Sequence, residues 1–515
     1  MNSGDAPFSI QADSIRGRYL EAAKDISQGD IIFQERPLMV GPCGVGIEKS
    51  KTFSTCLGCY KNVTSFYKCS KCGWPVCNFQ CEMMPDHSNF ECVVFATCPV
   101  SPIVSPLEYE KIKILRCLML KEKSPDKWKL LMNLQSHIAN RKQDVAAVSR
   151  DISYYKFIKD ECHLLKQFPF NEISHFSGVC AINSYSRNGL LGQCYSDGPL
   201  RHASFLFYFA SFLTHDCIPN ARSVIQQKGK SFVINVIATT NIKYKDPITI
   251  SYVEPSCGTL ERRAYLLDNF YFSCKCSRCR DPTEIGTYLS SVKCTSDSCK
   301  NGWLISKNPI DPNSNWICNQ NLTAGCNASD VNVMLVEDIL QDVKAKIRKA
   351  GSLNEFMDIL EFYKNKTLHK NHYLVINMEC EILRLIDVAL STVFDEPERL
   401  RLAKWQVDLC RHCLSVADLI QPGNNKFRGN LLCVLQDALL TICTGKINQC
   451  YDAKEFDIIR KRCKKELAEA LETMKEAKSI LMAEPVGSSE WQRGTTLSLE
   501  TTRVKSLMKC LSFKD

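Results

Sequence analysis

Eight residues suited to soft metal ions fall within one run, CLGCYKNVTSFYKCSKCGWPVCNFQCEMMPDHSNFEC, from Cys56 to Cys92. They follow the spacing C-x2-C-x9-C-x2-C-x4-C-x3-C-x5-H-x4-C. A C-x2-C pair lets one tight turn present two thiolates to one tetrahedral ion. Eight ligands fit two ions, and a 37-residue segment needs them to fold. A second block, FSCKCSRC, offers Cys274, Cys276 and Cys279 and leaves one tetrahedral corner empty. Cys217, in the run FLTHDCIPNAR, is a candidate for it. Beside His215, Cys217 can also be read as a nucleophile with its base, or as a core residue. A third block pairs Cys294 with Cys299 and Cys318 with Cys326 around short Trp-containing runs. It suggests a small zinc ribbon; plain buried thiols are the alternative.

The chain has 515 residues, 30 cysteines and a net charge of +9. Its N-terminus, MNSGDAPFSIQADSIRGRYL, has no apolar region of the secretory kind. No uninterrupted apolar run approaches the roughly 18 residues that cross a bilayer. Cytosolic or nuclear thiols stay reduced, so so many cysteines point to zinc rather than disulfides. Those outside the three blocks read mostly as small hydrophobes on helix faces. No stretch combines dense Lys/Arg with interleaved aromatics, which argues against direct nucleic-acid binding.

These residues need elements to hold them. Turns at Gly17 and Gly29 predict strands around Tyr19–Ala22 and Ile31–Glu35. Leu107–Leu165 has helical periodicity. A helix is expected at Ala203–Leu213, and strands at SFVINVIAT and PITISYV. TLERRAYLLDNF reads as a short helix entering the Cys274 block, and 333–515 carries at least five helical segments.

The order of these features resembles the SET and MYND protein-lysine methyltransferase family over nearly the whole chain, most strongly at 12–95 and 176–280. Within the family it most resembles a divergent, arthropod-type branch. The resemblance implies an α+β fold in which a β-rich SET domain is split by a zinc-binding MYND finger. The implied organisation is a SET N-terminal part (1–50), the finger (51–95), a helical insert (96–175) and the SET core (176–255). A Cys-rich post-SET zinc segment (256–285), a possible zinc ribbon (286–332) and a helical, tetratricopeptide-like domain (333–515) follow.

By resemblance the finger's ligand pairs interleave. Cys56, Cys59, Cys77 and Cys81 hold one zinc; Cys69, Cys72, His87 and Cys92 hold the other. The gap of four residues between His87 and Cys92 is one longer than usual. Cys217 becomes the fourth post-SET ligand, which removes the need for a nucleophile. S-adenosylmethionine would contact Gly17, Arg18, Asn183, Thr214, His215, Tyr252 and Phe272. Tyr252 would be the catalytic channel tyrosine. Three positions depart from the pattern: Tyr19 replaces a glycine, Thr214 an asparagine, and Phe270 a second channel tyrosine. Lys245-Asp246-Pro247 also replaces the usual Gly-Glu-Glu.

The implied activity is methyl transfer to a histone or non-histone lysine, with two zinc ions in the finger, one post-SET and a possible fourth. Finger ligands would be proline-rich peptides, including corepressors. The chain is expected to be a monomer, cytoplasmic and/or nuclear, with no membrane association. The departures favour a rival: a SET-MYND scaffold of little or no activity in transcriptional repression.

Overall fold

The computed structural model describes residues 6–43, 55–63, 67–98, 100–102, 109–164, 166–186, 189–190, 203–229, 231–323, 326, 328–449 and 453–510. Two compact units make up the chain. Met1–His215, Ala221–Val253 and Tyr265–Phe272 form the first; Asp216–Asn220, Glu254–Ala264 and Ser273–Asp515 form the second.

In the first unit, β1 (Phe8–Asp13) and β2 (Gly17–Ala22) pair antiparallel with Asp13 opposite Gly17. Asp13 Oδ1 accepts from the backbone N–H of Ile15 at 2.8 Å and of Arg16 at 2.6 Å, which closes the turn. Gly17 has φ +69°, a conformation that costs glycine little. β3 (Ile31–Glu35), β4 (Met39–Pro42), β5 (Ser184–Ser186), β6 (Gly189–Leu190) and β7 (Ala203–Leu206) follow. Then come β8 (Thr214–His215), β9 (Ala221–Lys228), β10 (Ser231–Ala238) and β11 (Thr249–Ile250). One sheet has the order β3-β10-β9 and another β4-β7-β5-β6, both antiparallel; β8 and β11 pair in parallel.

One sequence expectation is overturned. Ala203–Leu213 is not a helix: Ala203–Leu206 is a strand, and Ala210–Phe212 is a single 3-10 turn. The run FLFYF, from Phe205 to Phe209, is apolar without interruption, so its period cannot separate strand from helix. Pairing to β4 and β5 settles it, and all four residues of β7 are buried. The insert does form helices, among them Glu110–Lys123, Pro125–Met132, Val145–Lys156 and Phe170–Asn183. Asp144 caps the third of these through the N–H groups of Ala146 and Ala147. In the finger, the bridges Thr55↔Asn62 and Lys68↔Pro75 lead into short helices at Phe79–Glu82, Pro85–Ser88 and Glu91–Thr97.

The second unit holds the antiparallel sheet β12 (Val292–Lys293), β13 (Trp303–Ser306) and β14 (Trp316–Cys318). After it, seven helices lie among the described residues, from Val333–Lys349 to Ser489–Cys510. Ser352 and Glu355 form a reciprocal capping box on Leu353–Tyr363. The helices share one apolar core with Leu289 and Val292 of the ribbon region. Helix Lys426–Asn448 is long and apolar enough to cross a membrane, and most of its apolar window is buried in the array.

Candidate metal centres and active site

The finger gathers its ligands as two interleaved sets, Cys56/Cys59/Cys77/Cys81 and Cys69/Cys72/His87/Cys92. Thiolates about 2.3 Å from a shared zinc stand about 3.8 Å apart at tetrahedral angles. Cys59 and Cys77 sulfurs are 3.6 Å apart, and those of Cys69 and Cys92 3.7 Å. The donor chemistry and the spacing both fit zinc.

His87 is buried, with Nε2 3.7 Å from the Cys72 sulfur. Its Nδ1 lies 2.7 Å from Glu91 Oε1, so Nε2 is the nitrogen turned to the sulfur set. Carboxylate partners of this kind fix the ring and raise its basicity as a ligand. Glu91 is fully buried and receives a bidentate pair from Arg116, 2.6 Å from Nε and 2.6 Å from Nη2. Burial pushes the Glu91 carboxyl up, but Arg116 and His87 together hold it below its usual value. Arg116 also donates to Tyr60 Oη at 2.7 Å and to the carbonyls of Val40 at 2.9 Å and Leu57 at 3.0 Å. Neither Glu91 nor Arg116 was flagged in the sequence; an i,i+4 His-Glu pair inside a ligand run is the signal that was there.

In the second unit Cys217, Cys274, Cys276 and Cys279 converge. The Cys217 sulfur is 4.0 Å from Cys274 and 3.5 Å from Cys279. Cys217 is fully buried among thiols, a ligand's surroundings rather than a nucleophile's. Arg262 donates from Nε to Cys217 Sγ at 3.3 Å and from Nη2 to Cys279 Sγ at 3.7 Å. Four thiolates around a divalent ion leave two negative charges in a buried place, and Arg262 with Arg278 offsets them. Glu284 bridges both arginines at 2.9 and 3.2 Å. Burial pushes its carboxyl up, but the two guanidiniums hold it down to about 2. The ribbon forms a fourth set from Cys294, Cys299, Cys318 and Cys326, with Cys299–Cys318 at 3.7 Å and Cys294–Cys326 at 4.0 Å. Gly302 sits against it: a Cβ there would lie 2.2 Å from Cys318 Sγ.

The remaining expected residues lie in the first unit. Thr214 and His215 form β8, paired to Thr249 and Ile250. His215 Nδ1 accepts from the Tyr252 N–H at 3.0 Å. Tyr252 packs 4.9 Å from Phe270, 5.4 Å from His215 and 6.3 Å from Phe272, ring centre to ring centre. Its hydroxyl donates to the Leu213 carbonyl, and burial raises the phenol well above its ordinary value. Tyr185 donates to the Ala210 carbonyl at 2.7 Å, in the same 3-10 turn. Glu35 fixes that turn from the other end, accepting from the N–H groups of Tyr208, Phe209 and Ala210 at 2.6, 3.1 and 3.1 Å. Glu35 and Tyr185 carry no motif and were missed. Gly17 has open space where a side chain would stand. Arg18 reaches Asn133, and its guanidinium lies 4.9 Å over Phe212. Asn183 donates to the carbonyls of Gln135 at 2.8 Å and Val179 at 3.0 Å.

Residues 17–253 match the SET domain family. The SET domain-containing protein SmydA-8, isoform B, of Drosophila melanogaster is 31% identical over 60% of this chain and 65% of its own length. Against that relative the chain therefore spans less than two thirds. Histone-lysine N-methyltransferase ASHR1 of Arabidopsis thaliana is 24% identical over 86% of this chain and 89% of its own length. Histone-lysine N-methyltransferase SMYD3 of Mus musculus is 26% identical over 52% and 59%. Fold and match together place a SET domain at residues 17–253. Within that class, the chain is similar to proteins of the SET and MYND type.

Proposed function

We propose that the chain is an S-adenosylmethionine-dependent protein-lysine N-methyltransferase acting on a histone or non-histone lysine. The observation that carries this reading is the Tyr252 cluster. One half-buried phenol is ringed by Phe270, Phe272 and His215, beside the β8–β11 strand pair. The cofactor would be held by Gly17, Arg18, Asn183, Thr214, His215 and Phe272, and the open space at Gly17 suits close backbone approach. When bound, it supplies an electrophilic methyl on a sulfonium.

The chain's own residues then do three things. The aromatic rings around Tyr252 would disfavour the ammonium form of a lysine bound against them, whose free pKa is roughly 10.4. Tyr252 spends its hydroxyl proton on the Leu213 carbonyl, so its oxygen faces an incoming amine as an acceptor. Burial keeps that phenol protonated. Phe270 offers no hydroxyl, so the amine would be oriented with fewer polar contacts than two tyrosines would give.

Zinc in this reading is structural. The finger presents exposed Phe79 and Met83, an apolar surface suited to a proline-rich peptide of a partner such as a corepressor. A cytoplasmic or nuclear location suits such substrates. One observation favours the rival scaffold: Asn183 already spends its amide N–H groups on Gln135 and Val179. Calorimetry on zinc-loaded protein separates the two. Heat on adding S-adenosylmethionine, then labelled methyl transfer to a protein array that Tyr252→Phe cuts sharply, supports the enzyme. No heat at millimolar cofactor rejects it in favour of the scaffold.

A further inference from the structure

A fifth cluster of metal-binding side chains lies in the helical array, far in sequence from the three cysteine blocks. Cys443 stands on helix Lys426–Asn448, and Cys463 and Glu466 on helix Ala453–Leu481. The i,i+3 spacing of Cys463 and Glu466 puts both on one face. The two sulfurs and a carboxylate oxygen all lie within 4.8 Å of one another. We propose that Cys443, Cys463 and Glu466 form a further site for a thiophilic divalent cation, of which zinc is the type.

Distance, charge and burial support the assignment. A sulfur at about 2.3 Å and a carboxylate oxygen at about 2.1 Å from one tetrahedral zinc stand about 3.6 Å apart. Cys443 Sγ and Glu466 Oε2 are 3.4 Å apart. Both cysteines are fully buried, whereas Glu466 keeps a quarter of its side-chain surface exposed, at 26%. Three protein ligands leave a fourth position for water, the arrangement of an open rather than a closed zinc site.

With both thiols ionised, the ligands carry three negative charges. Lys446, 2.9 Å from Glu466 Oε1, supplies one positive charge and a divalent ion two, so the group is neutral as a whole. A thiolate is the form a metal needs.

Plasma mass spectrometry on the zinc-saturated, dialysed full chain tests the site. Wild type is expected to retain about one more zinc per chain than Cys463→Ala. Alanine there keeps a small apolar side chain in the core. Should that variant lose helicity, Glu466→Gln, which leaves both thiols packed, carries the test. Its last Co2+ equivalent should bind at least about tenfold more weakly, with a fainter thiolate-to-cobalt band. Equal zinc in wild type and Cys463→Ala, or equal cobalt affinity in Glu466→Gln, overturns the site. So does a wild-type mass short by two hydrogens that Cys463→Ala lacks, which would show the thiols joined to each other instead.

Discussion

His87 shows how a single side chain depends on others to be a ligand. Its ring is turned by Glu91, which is held ionised by Arg116. Glu91→Gln should leave the finger's first ion in place and weaken the second about 10–100-fold in a chelator competition. His372 makes a different prediction. It is fully buried, caps helix Tyr373–Leu390 through the Leu374 N–H, and burial lowers its pKa to about 3. An unfolded histidine titrates near 6.5. A group that folds neutral contributes stability that is full above the unfolded value and lost as pH falls from about 6.5 towards 3. The loss across that window is on the order of 5 kcal/mol. His372→Asn keeps a capping side chain and removes the titration, so its acid limb in a pH-dependent urea melt should be flatter than wild type.

At the scale of elements, the ribbon is bound by packing against its own ligands. Gly302 precedes β13, and its missing side chain leaves room for Cys318 and Cys299 sulfurs. Gly302→Ala should push those thiols apart, cost about one zinc per chain and lower the melting temperature of the second unit, read by metal analysis and calorimetry. The candidate ligands of the finger and of the Cys274 block are legible in the sequence because C-x2-C and C-x-C-x2-C are local patterns, whereas the division of the finger's eight between two ions comes from the family resemblance. Cys217 was reached through the family resemblance, since 57 residues separate it from Cys274. What the sequence did not disclose is the shell behind the ligands. Arg116 and Glu91, Arg262 and Glu284, and Glu35 with the 208–210 amides are common residue types joined across long stretches of chain. Their meaning appears only when strands and helices bring them together. Strand Ala203–Leu206 is hidden for a related reason: it runs into the apolar stretch 205–209, which has no period, and its identity comes from the strands that flank it.

At the scale of the molecule, each unit carries two of the four cysteine-rich sets: the finger pair in the first, the post-SET and ribbon sets in the second. Small cores that rest on metals fail when the metals leave. A strong chelator should therefore lower both unfolding transitions, while a reductant leaves both unchanged. The cysteines of all four sets lie outside disulfides, so a reductant finds no bond to break in them. Calorimetry with each reagent in turn makes the comparison. A drop on reduction alone would point to disulfides in place of ions.

The Arg116 guanidinium reaches β4 at Val40, the first knuckle at Leu57 and Tyr60, and the last finger helix at Glu91. The finger is inserted between two parts of a domain, yet it is not a detachable module. Deleting residues 55–98 would take away every one of those partners but Val40 and strand a cation in an apolar interior, a loss of about 3–5 kcal/mol when one partner of a buried pair is removed. The SET sheet and the finger should thus fold as one cooperative unit. Transplanting or trimming the finger changes the scaffold it came from, so its place as one continuous stretch of sequence is no guide to where the chain can be cut.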